Sequence, residues 1–303
     1  IMAISRNQLV KELEPGLNAL FGLEYKQYEN QTSDIYTTES SDRAFEEEVM
    51  LSGFAQAQVK PEGSGVTYDN AQETFTARYT NETIALAFAI TEEAIEDNLY
   101  DRLASRYTKA LARSMASTKN VKGASTLNNG NPGGTFTSGD GVTLFNTAHP
   151  TIAGTFSNTL ATASDLNETS LEQALIDINA FTDERGLKIA AKGVKMIIPS
   201  ALQFVAERLM KSQGRTSTAD NDINAVRSMG MIPQGYRVNN YLTDADAFFI
   251  LTDVPNGMKH FNRAPLTTKM EGDFDTGNVR YKARERYVFG VSDPRGIFSS
   301  PGA

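Results

Sequence analysis

The chain has 303 residues, 40% of them apolar and 22% charged. That is enough for one large domain or two smaller ones with real cores, and it excludes a disordered chain. A net charge of −8 and a pI near 5.0 disfavour nonspecific wrapping of nucleic acid, although local basic faces stay open. The absence of cysteine removes disulfides, thiolate nucleophiles and cysteine-held metals. No run of eighteen apolar residues offers a membrane span, and the first fifteen residues lack the apolar core of a secretory signal.

Residues 1–50 read as an extended arm with one short helix. Leu9, Leu13, Leu17 and Leu20 have helical spacing, and Pro15-Gly16 is expected to interrupt them. Residues 51–80 read as a polar two-stranded excursion around a flexible tip, Pro61-Glu62-Gly63-Ser64-Gly65. Thr83–Ile90 is a short apolar strand. Thr91 then caps a helix predicted to reach about Lys122, with Ile95, Leu99, Leu103, Tyr107, Leu111 and Met115 on one stripe. Acidic residues open this helix and basic residues close it, which suits the helix dipole. Its length of roughly 45–50 Å suits a spine on which other elements lie.

Residues 123–165 are rich in Gly, Asn, Thr and Ser, and are too long for a simple connection. A helix is predicted over Asp165–Asp183, capped by Asn167 or Thr169 and closed by Gly186. Val194–Pro199 is a buried strand, followed by a helix over Ala201–Lys211 and a polar loop over Thr216–Ala225. Tyr236–Asn240 and Ala247–Thr252 read as strands, and Thr267–Asn278 as a polar connection. The last strand is the clearest: Val279, Tyr281, Ala283, Tyr287, Phe289 and Val291 alternate with Arg280, Lys282, Arg284 and Arg286. Like charges on one face repel unless something anionic covers them. Carboxylates from an adjacent arm, strand or subunit are the expected cover, with phosphate bound along the surface as the alternative.

Catalytic equipment is sparse. His149 lies in LFNTAHPT without a nucleophile or acid marked beside it, so it reads as a loop anchor before Pro150. There is no G-x-S-x-G elbow, phosphate-binding G-x-x-x-x-G-K-[ST] loop or H-E-x-x-H zinc motif. The acids of ADNDIN lack the spacing of a calcium loop. No catalytic residue, cofactor or metal ligand is assigned, and the chain is expected not to be an enzyme.

The segments ETIALAFAITEEAIEDN, KMIIPSALQFVAERL and VRYKARERYVFGVSDPRGIF, in this order, resemble the major capsid proteins of tailed double-stranded DNA bacteriophages. DGVTLFNTAHP is similar to a segment of some phage head subunits. The resemblance implies an α+β, Hong Kong 97-like fold in five stretches. Residues 1–50 would be an N-terminal arm and 51–80 an extended hairpin, the E-loop. Residues 81–164 and 266–303 would form a peripheral P-domain around the spine helix. Residues 165–265 would form an axial A-domain.

It also implies a structural subunit that assembles with itself into hexamers and pentamers of an icosahedral head. That head would enclose double-stranded DNA without sequence-specific binding, be assembled in the host cytoplasm and become part of the virion. A separate or already removed scaffold, a portal and a decoration protein would be partners, and no membrane would be involved. Some members cross-link a Lys to an Asn; Lys60 lies in the E-loop, but no motif fixes a partner for it. Contacts between subunits are expected at Lys60, Glu62, Arg280, Lys282, Arg284 and Arg286. The alternatives are a cellular nanocompartment shell of the same fold, told apart by its contents, and a soluble hydrolase, told apart by turnover in a monomer.

Overall fold

The computed structural model describes residues 6–91, 93–94, 100–215, 222–273 and 277–303. Helix α1 covers Arg6–Gln27 without a break at Pro15, which corrects the interrupted arm helix expected from sequence. Proline inside a helix costs about 3 kcal/mol. Here tertiary packing offsets that cost: Leu17 and Phe21 are buried against Leu111, Ala112 and Met115 of the spine helix α2 (Tyr100–Asn128). Asn18 adds polar fixation, its Oδ1 accepting from the hydroxyls of Thr268 (2.7 Å) and Tyr281 (2.8 Å).

Helix α2 ends later than predicted, at Asn128 rather than Lys122. The expected Ile95 and Leu99 lie outside the described residues. The Ala94 N–H does donate to Thr91 Oγ1 (3.4 Å), as an N-cap requires. The buried stripe of α2 is built largely of small residues, Ala104, Thr108, Ala112 and Ala116, beside Leu111 and Met115; Tyr107 of the expected stripe is half-exposed. Small side chains let the helix lie close to the sheet beneath it.

That sheet contains β1 (Thr37–Ser40), β10 (Met258–Gly272), β11 (Val279–Val291) and β4 (Glu82–Ile90), in the order β1-β10-β11-β4. β1 runs parallel to β10, and the other pairs are antiparallel. Strand β10 was not expected, because its second half had read as a polar connection. Pro265 breaks the sequence pattern, and it falls in a stretch where the register of β10 against β11 shifts twice, between Asn262 and Thr267. A bulge is where a sheet tolerates proline.

A second sheet contains β7 (Gly193–Ile198), β8 (Tyr236–Val238), β9 (Phe248–Thr252) and β12 (Ile297–Ser300), in the order β12-β9-β7-β8. It packs against α3 (Glu168–Asn179) and α4 (Gln203–Lys211) through Leu171, Leu175, Ile178, Met196, Ile250 and Phe298. Asn167 caps α3 in a reciprocal box with Ser170, as anticipated. Asp183–Gly186 does not close this helix; it forms a later turn, with Gly186 at φ +83 and its N–H bonded to Asp183 O (3.2 Å). A short helix, α5 (Ala225–Ser228), follows the 216–221 stretch that lies outside the described residues. Ile35, Leu127, Phe145, Ile197, Phe249, Met258 and Ile297 form a core that joins the two sheets. A small hairpin, β5 (His149–Thr151) with β6 (Gly154–Phe156), stands out from the 129–165 excursion. No described helix is long and apolar enough to cross a membrane.

Candidate assembly surfaces

Two features of the molecule are built outward rather than inward. The first is a hairpin arm. Its strands β2 (Phe45–Leu51) and β3 (Glu73–Thr80) pair from Phe45↔Thr80 to Leu51↔Glu73. The pairing therefore lies nearer the body than the sequence suggested, and includes the acidic 45–50 stretch. The Ser52 N–H donates to Gln72 O (2.9 Å), and the Gln72 N–H to Ser52 Oγ (3.0 Å). Beyond that rung, residues 53–73 are all exposed. They include Phe54, Val59 (95% exposed), Val66 and Tyr68 (91%). Apolar side chains on an extension without a core are unusual in a protein that stays alone.

The arm is fastened at its base. Tyr79 packs on Phe261 (ring centroids 4.9 Å apart) and lies so close to Gly290 that a Cβ there would sit 2.2 Å from its ring. Its hydroxyl bonds Ser292 Oγ, which donates to Glu48; Glu48 in turn pairs with the buried Lys259, which also reaches Glu39 (3.1 Å). Burial pushes the Tyr79 phenol well above its usual range. Farther out, Asp69 closes the arm by accepting from the N–H groups of Ala55 (2.7 Å) and Asn70 (2.9 Å). Those bonds hold its carboxyl below the ordinary carboxylate range. Arg185 donates to Asn70 O (2.6 Å), tying the arm to the turn that follows α3.

The second feature is the cationic face of β11. The burial alternates as the sequence required: Val279, Tyr281, Ala283 and Tyr287 are buried, while Arg280, Lys282 and Arg284 are exposed and Arg286 is half-buried. Across the sheet, Lys282 stands opposite Lys269, so β10 adds a cation to the same face. On the other side the partners are Ala85, Ala87 and Ala89 of β4, which leave the ladder uncrowded. Arg280 pairs with Asp273. Lys282 and Arg284 take no ion pair among the described residues, and Arg286 Nε is buried without a hydrogen-bond partner. Lys60 and Glu62 are exposed at the arm tip, and among the described residues the arm forms no ion pair with Lys282 or Arg284.

One charged residue of this strand was missed. Glu285 lies on the apolar face, 2% exposed, with Lys119 of α2 at 3.5 Å. Burial raises its pKa, and Lys119 opposes that rise. The signal was a carboxylate in apolar register between Ala283 and Tyr287. His149 is a buried anchor, as its sequence context suggested, and is 0% exposed. Among the described residues no cluster of three or more His, Asp or Glu side chains is arranged to hold a metal ion.

The profile of the phage capsid protein family matches residues 74–300. No curated protein sequence matches the chain. Among solved structures, the capsid of Myoviridae phage XM1 superposes with a TM-score of 0.55 at 11% identity, covering 89% of each chain. The virus-like particle from Pyrococcus furiosus gives 0.54 at 11% identity, covering 94% of this chain and 97% of that one. The procapsid of bacteriophage JBD30 gives 0.54 at 15% identity, covering 98% of this chain and 76% of that one. With its two sheets, spine helix and projecting arm, the chain belongs to the phage capsid protein family and is a structural, shell-building subunit with the Hong Kong 97-like fold.

Proposed function

We propose that the chain is the major capsid subunit of a tailed phage, assembling into hexamers and pentamers of an icosahedral head around double-stranded DNA, and that it catalyses no reaction. The observation that carries this reading is the arm: residues 53–73 extend outside any core and expose large apolar side chains. Such a segment recovers its ordering entropy by docking on a neighbour. The division into an arm (1–50), E-loop (51–80), P-domain (81–164 and 266–303) and A-domain (165–265) belongs to this proposal. Sheet membership crosses its boundaries, since β12 joins the sheet of β7–β9 and the start of β10 joins that of β11.

The ladder Arg280, Lys282, Arg284 and Arg286, with Lys60 and Glu62 at the arm tip, forms contacts between subunits in this reading. Lys282 and Arg284, which take no ion pair among the described residues, meet carboxylates of a neighbouring subunit in this reading. A scaffolding protein, portal and decoration protein are further partners, assembly occurs in the host cytoplasm, and the DNA is enclosed without base-specific contact. The test is replacement of residues 54–71 by the dipeptide Asn-Gly, which leaves the Ser52–Gln72 rung to be closed by a three-residue loop with Gly53. The variant should fold with normal thermal stability and fail to form particles; normal particles would remove the arm from the assembly contact.

A second reading, a nanocompartment shell with other cargo, is favoured by the likeness to the Pyrococcus furiosus particle over nearly its whole length. Nucleic acid inside purified particles supports the head; a protein cargo supports the compartment.

A further inference from the structure

Asp140 and His149 both belong to the segment DGVTLFNTAHP, which neither assembly surface uses. Their side chains are 1% and 0% exposed, and His149 Nδ1 lies 2.6 Å from Asp140 Oδ2. The other ring nitrogen, Nε2, lies 3.0 Å from Asn158 Oδ1. The orientation of Asn158 is set by its neighbours. Its Nδ2 donates to the carbonyls of Leu144 (2.7 Å) and Pro294 (3.0 Å), and its Oδ1 accepts the Asn146 N–H (2.9 Å). Turning the amide over would oppose oxygen to two carbonyls and NH2 to an N–H. Asn158 Oδ1 is therefore an acceptor, and Nε2 carries a hydrogen. Asp140 Oδ1 is occupied by the Ser138 hydroxyl and the Val142 N–H (3.3 Å), which leaves Oδ2 as an acceptor for Nδ1.

The geometry points to a ring that donates from both nitrogens: His149 and Asp140 form a buried ion pair that clasps the 129–165 excursion on itself and holds Asn158, whose amide in turn reaches Pro294 O (3.0 Å) in the turn at 293–296. The Asp140 carboxyl agrees with this. Burial pushes its pKa up, but the bonds from His149 and Ser138 outweigh burial and hold it below the usual range. The other charges near the ring are one cation, Arg295, and two carboxylates, Glu184 and Asp293, and the second of these also feels the His149 ring. Arg295 lies over Phe156 (4.2 Å), the ring on which His149 stacks (4.8 Å), and pairs with Glu184 (2.9 Å) and Asp293 (3.3 Å).

The second histidine supplies an internal contrast. His260 Nδ1 meets Thr38 Oγ1 (3.2 Å), while its Nε2 is buried without a partner among the described residues. Burial and the Lys119 charge lower its pKa to about 4, so this ring is neutral at neutral pH.

Because the chain has two histidines, ring-15N labelling resolves the question without reference to shell assembly. At neutral pH, both His149 nitrogens should carry a proton and His260 should carry one; His260→Gln assigns the signals. A bare nitrogen on His149 overturns the ion pair. In Asp140→Asn, the near-isosteric amide can donate to Nδ1, so His149 should fall to a single N–H; two retained N–H signals would contradict the pairing. For the clasp, His149→Leu strands Asp140 in the interior. Amide exchange across 138–158 should accelerate roughly a hundredfold relative to α3 and β7, and no acceleration overturns the clasp. If that variant does not fold, the nitrogen spectra of the parent protein and Asp140→Asn decide.

Discussion

Gly290→Ala is a small change with a large expected consequence for the arm. A Cβ at this position would stand 2.2 and 2.3 Å from Cε1 and Cδ1 of Tyr79, inside any tolerable contact. Tyr79 cannot yield cheaply: its ring is 5% exposed, packs on Phe261 and carries the hydroxyl that begins the Ser292–Glu48–Lys259 network. Overpacking costs about 1–3 kcal/mol. Loss of the buried hydroxyl bond adds about 1 kcal/mol. The glycine's backbone is not in the left-handed region, so alanine recovers at most about 0.5–1 kcal/mol of chain entropy. The net loss is therefore about 1–3 kcal/mol. In a domain of this size that lowers Tm by about 2–4 °C per kcal/mol.

Thermal unfolding of the unassembled protein gives that figure, and particle yield reports the displaced arm. Tyr79→Val removes the obstructing ring, so Gly290→Ala should cost far less in its presence. Additive losses in that double-mutant cycle would refute the steric account of how the arm is fastened.

Glu285 yields a pH prediction. Its folded pKa is raised, chiefly by burial, so the folded state holds its proton more tightly than the unfolded chain; its contribution to stability falls as pH rises through and above the ordinary carboxylate range. Glu285→Gln should flatten that slope in urea titrations. Lys119→Met should cost about 3–5 kcal/mol at neutral pH by leaving a buried carboxylate unpaired. Asp140 has the opposite sign: its pKa is lowered, so its contribution is present at neutral pH and is lost as pH falls through its depressed value, a loss that Asp140→Asn should abolish. Replacing Arg284 and Arg286 together with Gln should reduce particle yield most at low salt, where the lost pairs are least screened, and leave DNA affinity at low salt unchanged. Normal particles with sharply weaker DNA binding would make the ladder a phosphate surface.

The last strand was legible because a half-buried sheet imposes period two, and β11 obeys it from Val279 to Tyr287. Helix α3 was legible because Asn167 and Ser170 write its cap locally. Strand β10 was not, since Pro265 and the double register shift erase alternation where the sheet bends. Continuity of α1 through Pro15 depends on Leu17 and Phe21 meeting α2, which no local pattern reports. The same limit applies to the surfaces. The ladder's charges could be read directly, but Lys269 joins them through pairing across β10, and Glu285 finds Lys119 across a helix–sheet interface. The arm was visible as a polar excursion, whereas its base joins Tyr79 to Ser292 and Glu48 to Lys259, partners 213 and 211 positions apart in the chain.

Electron microscopy of the purified full chain, at protein and salt concentrations that favour association, tests the central claim most directly. The account predicts closed shells whose capsomers of six and five carry each arm on a neighbouring subunit. A stable monomer under every assembly condition, with residues 53–73 still exposed, would contradict it.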